Sequence, residues 1–259
     1  MSPLASLRAQ IRRAREVYRI SPAFSAAIIV LPWIAAIVMG ILLTVPSTRG
    51  LGRFLILEDH PIEDASFAAF FIGGILGLML GCQARRHGGS RWLAAYYTAA
   101  GVFLLACAME EISWGQRIFG WKTPGAFKES NIQVETNIHN LPILDNLQDY
   151  LLIAFSLAGI WSTRLFSRPR VRAFSAPGLL ISTFIVILIA CGLDLVLFEG
   201  PSGQILNRLF SELSEPVEML FAFAGLLHVW LNRRMLAAEW KGRAAAGGIF
   251  SRQAAGGPV

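Results

Sequence analysis

Charged residues, histidine and cysteine are all scarce in this sequence. Only 15% of the 259 residues are Asp, Glu, Lys or Arg, whereas 54% are hydrophobic and the mean hydropathy is +0.53. Soluble domains carry about 25% charged residues, so the composition excludes an ordinary water-soluble protein. Cys82, Cys107 and Cys191 lie in apolar stretches without a C-x-x-C pair, which favours buried thiols over a disulfide or a metal site.

Long apolar runs make up about half of the chain. A helix needs about 20 mostly apolar residues to cross the roughly 30 Å hydrocarbon core of a bilayer. No Pro/Gly/Ser-rich linker divides the chain, so we predict one all-α membrane domain of six transmembrane helices over residues 24–231. The predicted spans cover about residues 24–46, 65–83, 92–111, 148–166, 177–198 and 213–231.

The basic residues indicate how this domain is oriented. Lys and Arg gather on cytoplasmic loops, and 17 of the 23 fall on the side that holds both termini, whereas 15 of the 17 acidic residues fall at or near the other side. We therefore predict an inner-membrane protein with a basic cytoplasmic N-terminus, residues 1–23, and a flexible cytoplasmic tail, residues 232–259. The basic residues are scattered over helix ends, so anionic lipid suffices as their partner and no nucleic acid is expected.

The third predicted span ends on two adjacent carboxylates, Glu110 and Glu111. Neighbouring helical residues differ in direction by about 100°, so at most one of the two can point into the bundle. The outer-side segment that follows, residues 112–147, is rich in aromatic residues and is predicted to lie on or dip into the outer surface. Gly115 and Gly120 would permit tight turns there.

Other acidic residues are expected on the same outer face. His60 and Glu63 come just before and just inside the second span, and Glu218 lies at the start of the sixth. Carboxylates in a first helical turn also complement the helix dipole, and this alone could explain why acidic residues stand at these helix starts. Asp194 lies about one turn inside the fifth span, where an acid is either functional or a neutral or snorkelling side chain.

The stretch "NIQVETNIHN", residues 131–140, holds a second cluster of polar residues. Glu135 and His139 are four residues apart and share one face if the stretch is helical. Carboxylate and imidazole can bind a divalent metal ion or act as an acid/base pair, although an interfacial helix with its polar face in water explains the spacing equally well. Asn131 and Asn140 could bind a polar headgroup or satisfy irregular backbone.

One sequence stretch is similar to a known group of proteins. "EEISWGQRIFGWKTP", followed by "NIQVETNIHN", resembles an uncharacterised family of bacterial multi-pass inner-membrane proteins that share an EEISWGQR motif and an NxQxExNxHN motif. The resemblance covers about 35 residues and implies that this outer segment is the working part of the protein. It supplies no reaction.

Three functions fit these patterns. The first is an outer-leaflet enzyme that acts on a lipid or polyprenyl-linked substrate. The alternatives are a non-catalytic membrane subunit that binds a protein partner, and a cation or proton transporter. His87 and His228, away from the acids, are interpreted as surface or helix-end residues.

For the enzyme, the predicted catalytic residues are Glu110, Glu111, Glu135, His139 and Asp194. The predicted substrate-binding residues are Arg117, Trp114, Gln116, Asn131 and Asn140. The predicted ligands of a divalent metal ion are His60, Glu63 and Glu218.

Overall fold

A computed structural model of the chain describes most of its residues. Within the described ranges the structure is helical and contains no strand. The described residues are 3–57, 60–125, 136, 142–165, 168, 171–198 and 212–255.

These residues form nine α-helices, joined in places by short 3₁₀ segments at Ser113–Gly115, Arg172–Phe174 and Gly178–Leu180. The helices are α1 (Pro3–Tyr18), α2 (Pro22–Thr44), α3 (Arg49–Ile56), α4 (Pro61–Arg86), α5 (Arg91–Glu111), α6 (Gln116–Phe119), α7 (Pro142–Leu165), α8 (Ile181–Phe198) and α9 (Ser214–Ala255).

Among the described residues, four stretches are long and apolar enough to cross a membrane. They are Pro22–Thr44, Arg49–Arg86, Arg91–Glu111 and Arg172–Val196. Large apolar side chains also cover the outside of the bundle, for example Ile37, which is 61% exposed, and Val196, which is 71% exposed. A water-soluble protein does not expose apolar surface on this scale, so the general prediction of an all-helical, multi-pass membrane protein is confirmed.

Local sequence signals start two of these spans. Ser21 accepts a hydrogen bond from the N–H of Phe24 (3.1 Å), and Pro22 occupies the first turn of α2, where a missing N–H costs nothing. Ser90 caps α5 in the same way through the N–H of Leu93 (3.1 Å). Both spans therefore begin where a hydroxyl satisfies free backbone N–H groups.

The bundle is built from two packed groups of helices. In the first, α4 and α5 form an antiparallel hairpin and α9 packs along α4. In the second, α7 packs along α8, which also contacts α2. Side chains from both groups meet in one core, in which Tyr97, Leu80, Leu180 and Leu231 are fully buried.

Polar contacts collect at the two ends of the bundle. At one end, the Arg234 guanidinium donates hydrogen bonds to the carbonyls of Tyr18 and Arg19 (both 2.7 Å), and His87 stacks on Trp240. These contacts join α1, the end of α4 and the second half of α9. At the opposite end, an ion pair between Arg53 and Glu212 (2.9 Å) joins α3 to the residues before α9.

The last helix is longer than the sequence indicates. The apolar signal fades near residue 231, whereas α9 runs on to Ala255. The predicted flexible tail is thus helical wherever it is described, because Ala, Glu, Lys and Arg are strong helix formers and because Met235, Leu236 and Trp240 are buried in the core of the bundle.

Helices α4 and α5 touch backbone to backbone. A Cβ atom added to Gly77 would lie 2.7 Å from the Cα of Gly101 on α5, closer than real Cβ contacts allow. Between helices in lipid, where apolar surface gains nothing by leaving the solvent, such close packing of small residues is a main source of association energy.

We expect Gly77→Ala to destabilise the protein. The added methyl group would force α4 and α5 apart, and overpacking of this kind lowers the free energy of unfolding by about 1–3 kcal/mol. Unfolding of the purified protein in detergent measures the loss. Gly40→Ala in α2 is the matched control, because a Cβ there meets nothing within 4 Å and helix propensity should raise stability slightly. Equal stabilities of the two variants would contradict the close contact.

Candidate functional site

A cavity of about 540 Å³ lies between α5, α7 and α9, at the end of the bundle where α5 stops. Four polar side chains reach it, three of them carboxylates, and the rest of the wall is apolar. The polar residues are Glu110, Glu111, Gln148 and Glu218; the apolar and sulfur-containing ones are Phe70, Phe103, Ala106, Cys107, Leu151, Leu152, Phe155 and Phe221.

Glu111 is the buried carboxylate of this cavity. The residue is only 9% exposed, although it is the last residue of α5. Four other carboxylates, those of Glu218, Glu215, Glu63 and Glu110, are close enough to interact electrostatically with it. A buried negative charge among like charges is unfavourable unless a proton, a cation or a hydrogen-bond donor compensates it. Functional sites retain such arrangements at a cost in stability.

Glu110 and Glu111 have different surroundings, as their helical positions predict. Glu110 is half-buried, and its Oε1 accepts a hydrogen bond from the indole N–H of Trp114 (2.6 Å). Glu111 instead points into the packed interior of the bundle. The two carboxylates therefore differ in burial, although both side chains line the cavity.

A left-handed turn ends α5 immediately after Glu111. Ser113, Trp114 and Gly115 have φ angles of +46°, +56° and +81°. Residues other than glycine rarely adopt this conformation, and it costs about 1–2 kcal/mol for each one. The turn buries Ser113 and brings Trp114 back over Glu110. Strained backbone of this kind tends to cluster at functional sites.

Gln116 ties the segment that follows α5 to the end of that helix. Its Nε2 donates to Thr123 Oγ1 (2.8 Å), and its Oε1 accepts from the backbone N–H of Thr136 (2.8 Å). Both ends of the amide are therefore used within the protein. The predicted turns at Gly115 and Gly120 are confirmed, because both glycines have positive φ.

Glu218 completes the site from α9. Gln148 of α7 donates a hydrogen bond from its Nε2 to Glu218 Oε1. Gln148 was not among the predicted site residues. Its polar side chain in the first turns of a predicted span, directly after a polar stretch, could have indicated it. The cavity is thereby bridged by a polar contact between two helices that belong to different packed groups.

The predicted metal ligands do not meet as a set. His60 stands at the start of α4, where its ring packs edge-to-face on Phe54 with centroids 4.3 Å apart. Glu63 and Glu218 both approach Glu111 instead. Within the described ranges, no group of three His, Cys, Asp or Glu side chains is arranged to hold a metal ion. A metal site therefore stays a prediction.

Asp194 lies apart from the cavity. It belongs to α8, and its carboxyl is hydrogen-bonded to that of Asp149 on α7, with Cys191 nearby. The cavity formed by Glu111 and Glu218 does not include Asp194. Sequence position alone could not separate these acids, because all of them fall near the same end of predicted spans.

The two histidines assigned to the surface differ. His87 is exposed at the end of α4, as expected. His228 lies inside α9, half-buried, with its Nε2 hydrogen-bonded to the hydroxyl of Tyr96 (3.0 Å). The surface assignment of His228 was therefore wrong, because α9 continues well beyond this residue.

Part of the predicted site lies outside the described residues. This applies to Glu135, His139, Asn131 and Asn140, and to the side chain of Arg117. No known protein family matches the chain, and no curated protein or solved structure is significantly similar to it. The likeness of the EEISWGQR stretch to a membrane-protein family remains a prediction.

We expect Glu111→Gln to stabilise the protein. The amide keeps the size of the side chain and removes the cost of burying an acid among other carboxylates, which must either stay charged or take up a proton, so the free energy of unfolding should rise by about 1 kcal/mol or more. Unfolding in detergent at neutral pH measures the change. Glu110→Gln is the control. Glu110 is only half-buried and accepts a hydrogen bond from the Trp114 N–H, so its replacement should not raise the free energy of unfolding. A loss of stability in Glu111→Gln would show that the carboxylate makes net favourable contacts.

Proposed function

We propose that this protein is an inner-membrane enzyme that acts at the outer leaflet on a lipid or polyprenyl-linked substrate. The buried Glu111 carboxylate, which faces Glu218 in a cavity with otherwise apolar walls, carries the proposal. Tight burial of an acid beside other acids is typical of catalytic carboxylates and has no structural benefit.

The chemistry follows from the two carboxylates. Neighbouring carboxyl groups in an apolar site do not ionise equally, so one acts as a proton donor while the other accepts a proton. We assign this acid/base pair to Glu111 and Glu218. A transfer or hydrolysis reaction at the polar head of the substrate requires such a pair. Glu135 and His139, which follow the left-handed turn in sequence, are proposed to complete the site, with a divalent metal ion if they bind one.

Access from the bilayer supports a lipid substrate. Phe103 on α5 is 55% exposed and Leu151 on α7 is 62% exposed, and both line the cavity. The cavity therefore opens sideways between α5 and α7, towards the hydrocarbon. A substrate with an apolar chain can enter by this route without leaving the membrane.

We further propose six spans with both termini in the cytoplasm. Six helices of the described chain, α2, α4, α5, α7, α8 and α9, have 18 or more residues. Arg234 binds the end of α1, which places the basic N-terminal helix and the second half of α9 at one end of the bundle. The carboxylates of the cavity lie at the other end. This separation supports a cytoplasmic basic face and an outer acidic face.

Turnover tests the enzymatic proposal. The purified protein is reconstituted into vesicles of bacterial membrane lipid extract, and lipid species are followed by mass spectrometry. We expect the wild type to consume a lipid-linked species, and Glu111→Gln to lower the rate by about 10²-fold or more, since it loses a general acid/base.

Glu239→Gln is the control for this experiment, because Glu239 lies in the part of α9 beyond Arg234, far from the cavity. It should keep the wild-type rate. A wild type that consumes no lipid, or a Glu111→Gln variant with the wild-type rate, would overturn the proposal. In that second case the acidic cavity would be a binding surface rather than a catalytic site.

Cysteine labelling tests the proposed orientation. In a background with Cys82, Cys107 and Cys191 changed to alanine, Lys122→Cys and Lys241→Cys each place one thiol at an exposed position. A membrane-impermeant maleimide applied to intact spheroplasts should label Lys122→Cys, and should label Lys241→Cys only after permeabilisation. The reverse pattern would invert the topology, and labelling of both variants in intact cells would contradict the six-span arrangement.

A further inference from the structure

The acidic cavity gathers more negative charge than the helix ends around it explain. Five carboxylates approach one another there, those of Glu63, Glu110, Glu111, Glu215 and Glu218. Glu63 and Glu215 stand in the first turns of α4 and α9, where the positive end of a helix dipole stabilises an acid. Glu111 is instead the last residue of α5, at the negative end of the dipole, where a cation is the favoured neighbour. Helix dipoles therefore account for some of these acids and not for Glu111.

The three carboxylates that line the cavity differ in their hydrogen-bond donors. Glu110 accepts a hydrogen bond from the indole N–H of Trp114, and Glu218 accepts one from the side-chain amide of Gln148. Glu111 is the most buried of the three, and within the described part of the chain it meets neither a hydrogen-bond donor nor a basic side chain. The Glu111 carboxylate thus faces the cavity without the donor or the positive charge that a buried acid requires.

A primary ammonium group supplies both of the missing partners. It carries one positive charge and three N–H donors, and the apolar walls of the cavity keep its attraction to the carboxylates strong. A phosphate group placed there would be repelled by the same carboxylates, and a hydroxyl group would bring a donor without a charge. The charge of the cavity therefore selects a cationic group that donates hydrogen bonds.

The arrangement of the acids suits an ammonium group better than a metal ion. A divalent metal ion needs several ligands at about 2.0–2.6 Å, and within the described ranges no three acidic, histidine or cysteine side chains are arranged to hold one. An ammonium group needs only acceptors at about 2.7–2.9 Å, since its three donors bind them separately. Glu111 and Glu218, from α5 and α9, can provide such acceptors on two sides of the cavity.

The surroundings of the cavity favour a lipid as the carrier of the ammonium group. Phe103 and Leu151 line the cavity and are also exposed on the outside of the bundle, where acyl chains lie against the protein. Glu110 and Glu111 end a span, at the level of the polar headgroups. A lipid can therefore place its amine among the carboxylates while its chains stay in the hydrocarbon.

We infer that the acidic cavity binds the primary ammonium group of a membrane lipid, with Glu111 and Glu218 as its hydrogen-bond acceptors. This inference rests on the proposed function, because it names the headgroup class of the substrate at the same site. A bound ammonium group is compatible with the acid/base role of this pair. When one N–H proton passes to a carboxylate, a neutral amine and a carboxyl group remain.

Binding of three lipids with the same acyl chains tests the inference. Phosphatidylethanolamine carries a primary ammonium group, phosphatidylcholine carries a positive charge without an N–H donor, and phosphatidylglycerol carries no amine. Native mass spectrometry of the purified protein in detergent measures their affinities. We expect phosphatidylethanolamine to bind at least about ten-fold more tightly than the other two, because only its head brings both a charge and N–H donors to Glu111.

Glu111→Gln should remove this preference, so that the three lipids bind with similar affinity. Glu218→Gln should weaken the preference in the same direction. Glu239→Gln is the matched control, because it removes one carboxylate from the distant part of α9 and should keep the wild-type preference. Glycerophosphoethanolamine, which has the same head without acyl chains, identifies the carrier: we expect it to compete weakly, and competition as strong as that of the lipid would overturn the assignment to a lipid.

Equal affinities for the three lipids in the wild type would overturn the inference, as would an unchanged preference in Glu111→Gln. Glu111-dependent binding of Mg²⁺ or Zn²⁺ that excludes phosphatidylethanolamine would assign the cavity to a metal ion instead. A second polypeptide in the spectrum whose presence excludes the lipid would assign it to a protein partner. None of these outcomes depends on turnover: the enzymatic proposal fails when no lipid is consumed, whereas the headgroup assignment fails when binding ignores the amine.

Discussion

The hydrocarbon solvent is the constraint on which the rest of this structure depends. In lipid, an unpaired polar group costs several kcal/mol, so the polar contacts of the described chain collect at the two ends of the bundle. Apolar burial cannot drive helices together in such a solvent. The contact of Gly77 with Gly101 supplies close packing instead, and the α4–α5 hairpin that it holds provides the surface against which α9 packs.

Glu111 lies at one of these ends but is buried there, and the fold holds it in place by several independent means. Helix α5 ends at this residue, and the left-handed turn at Ser113 to Gly115 prevents the helix from continuing. Gln116 then fastens the following segment through Thr123 and Thr136. The strain of the turn and the burial of an acid among other carboxylates both reduce stability. Their presence at one point supports the proposal that this is a functional site.

Sequence periodicity and the length of the apolar runs predicted where the helices lie more reliably than which helices pack against each other. The first three spans agree with α2, α4 and α5 to within a few residues, because long apolar runs and Ser-Pro or Ser caps mark them directly. The turn at Gly115 and the unequal burial of Glu110 and Glu111 also follow from local geometry. Which helices touch is a tertiary property without a local signal, so neither the pairing of Asp194 with Asp149 nor the contact of Gln148 with Glu218 could be predicted.

The position of the acidic site follows from how the two helix groups join. Helices α5 and α9 belong to one group and α7 to the other, so the space between α5 and α7 is a seam rather than a close-packed interface. Gln148 and Glu218 bridge this seam at its acidic end, and Phe155 and Phe221 bridge it at mid-depth. A seam between packed groups can admit a lipid chain without disturbing the contacts that hold each group together. The same feature brings Glu111 and Glu218 together and would give the proposed lipid substrate a lateral path to them.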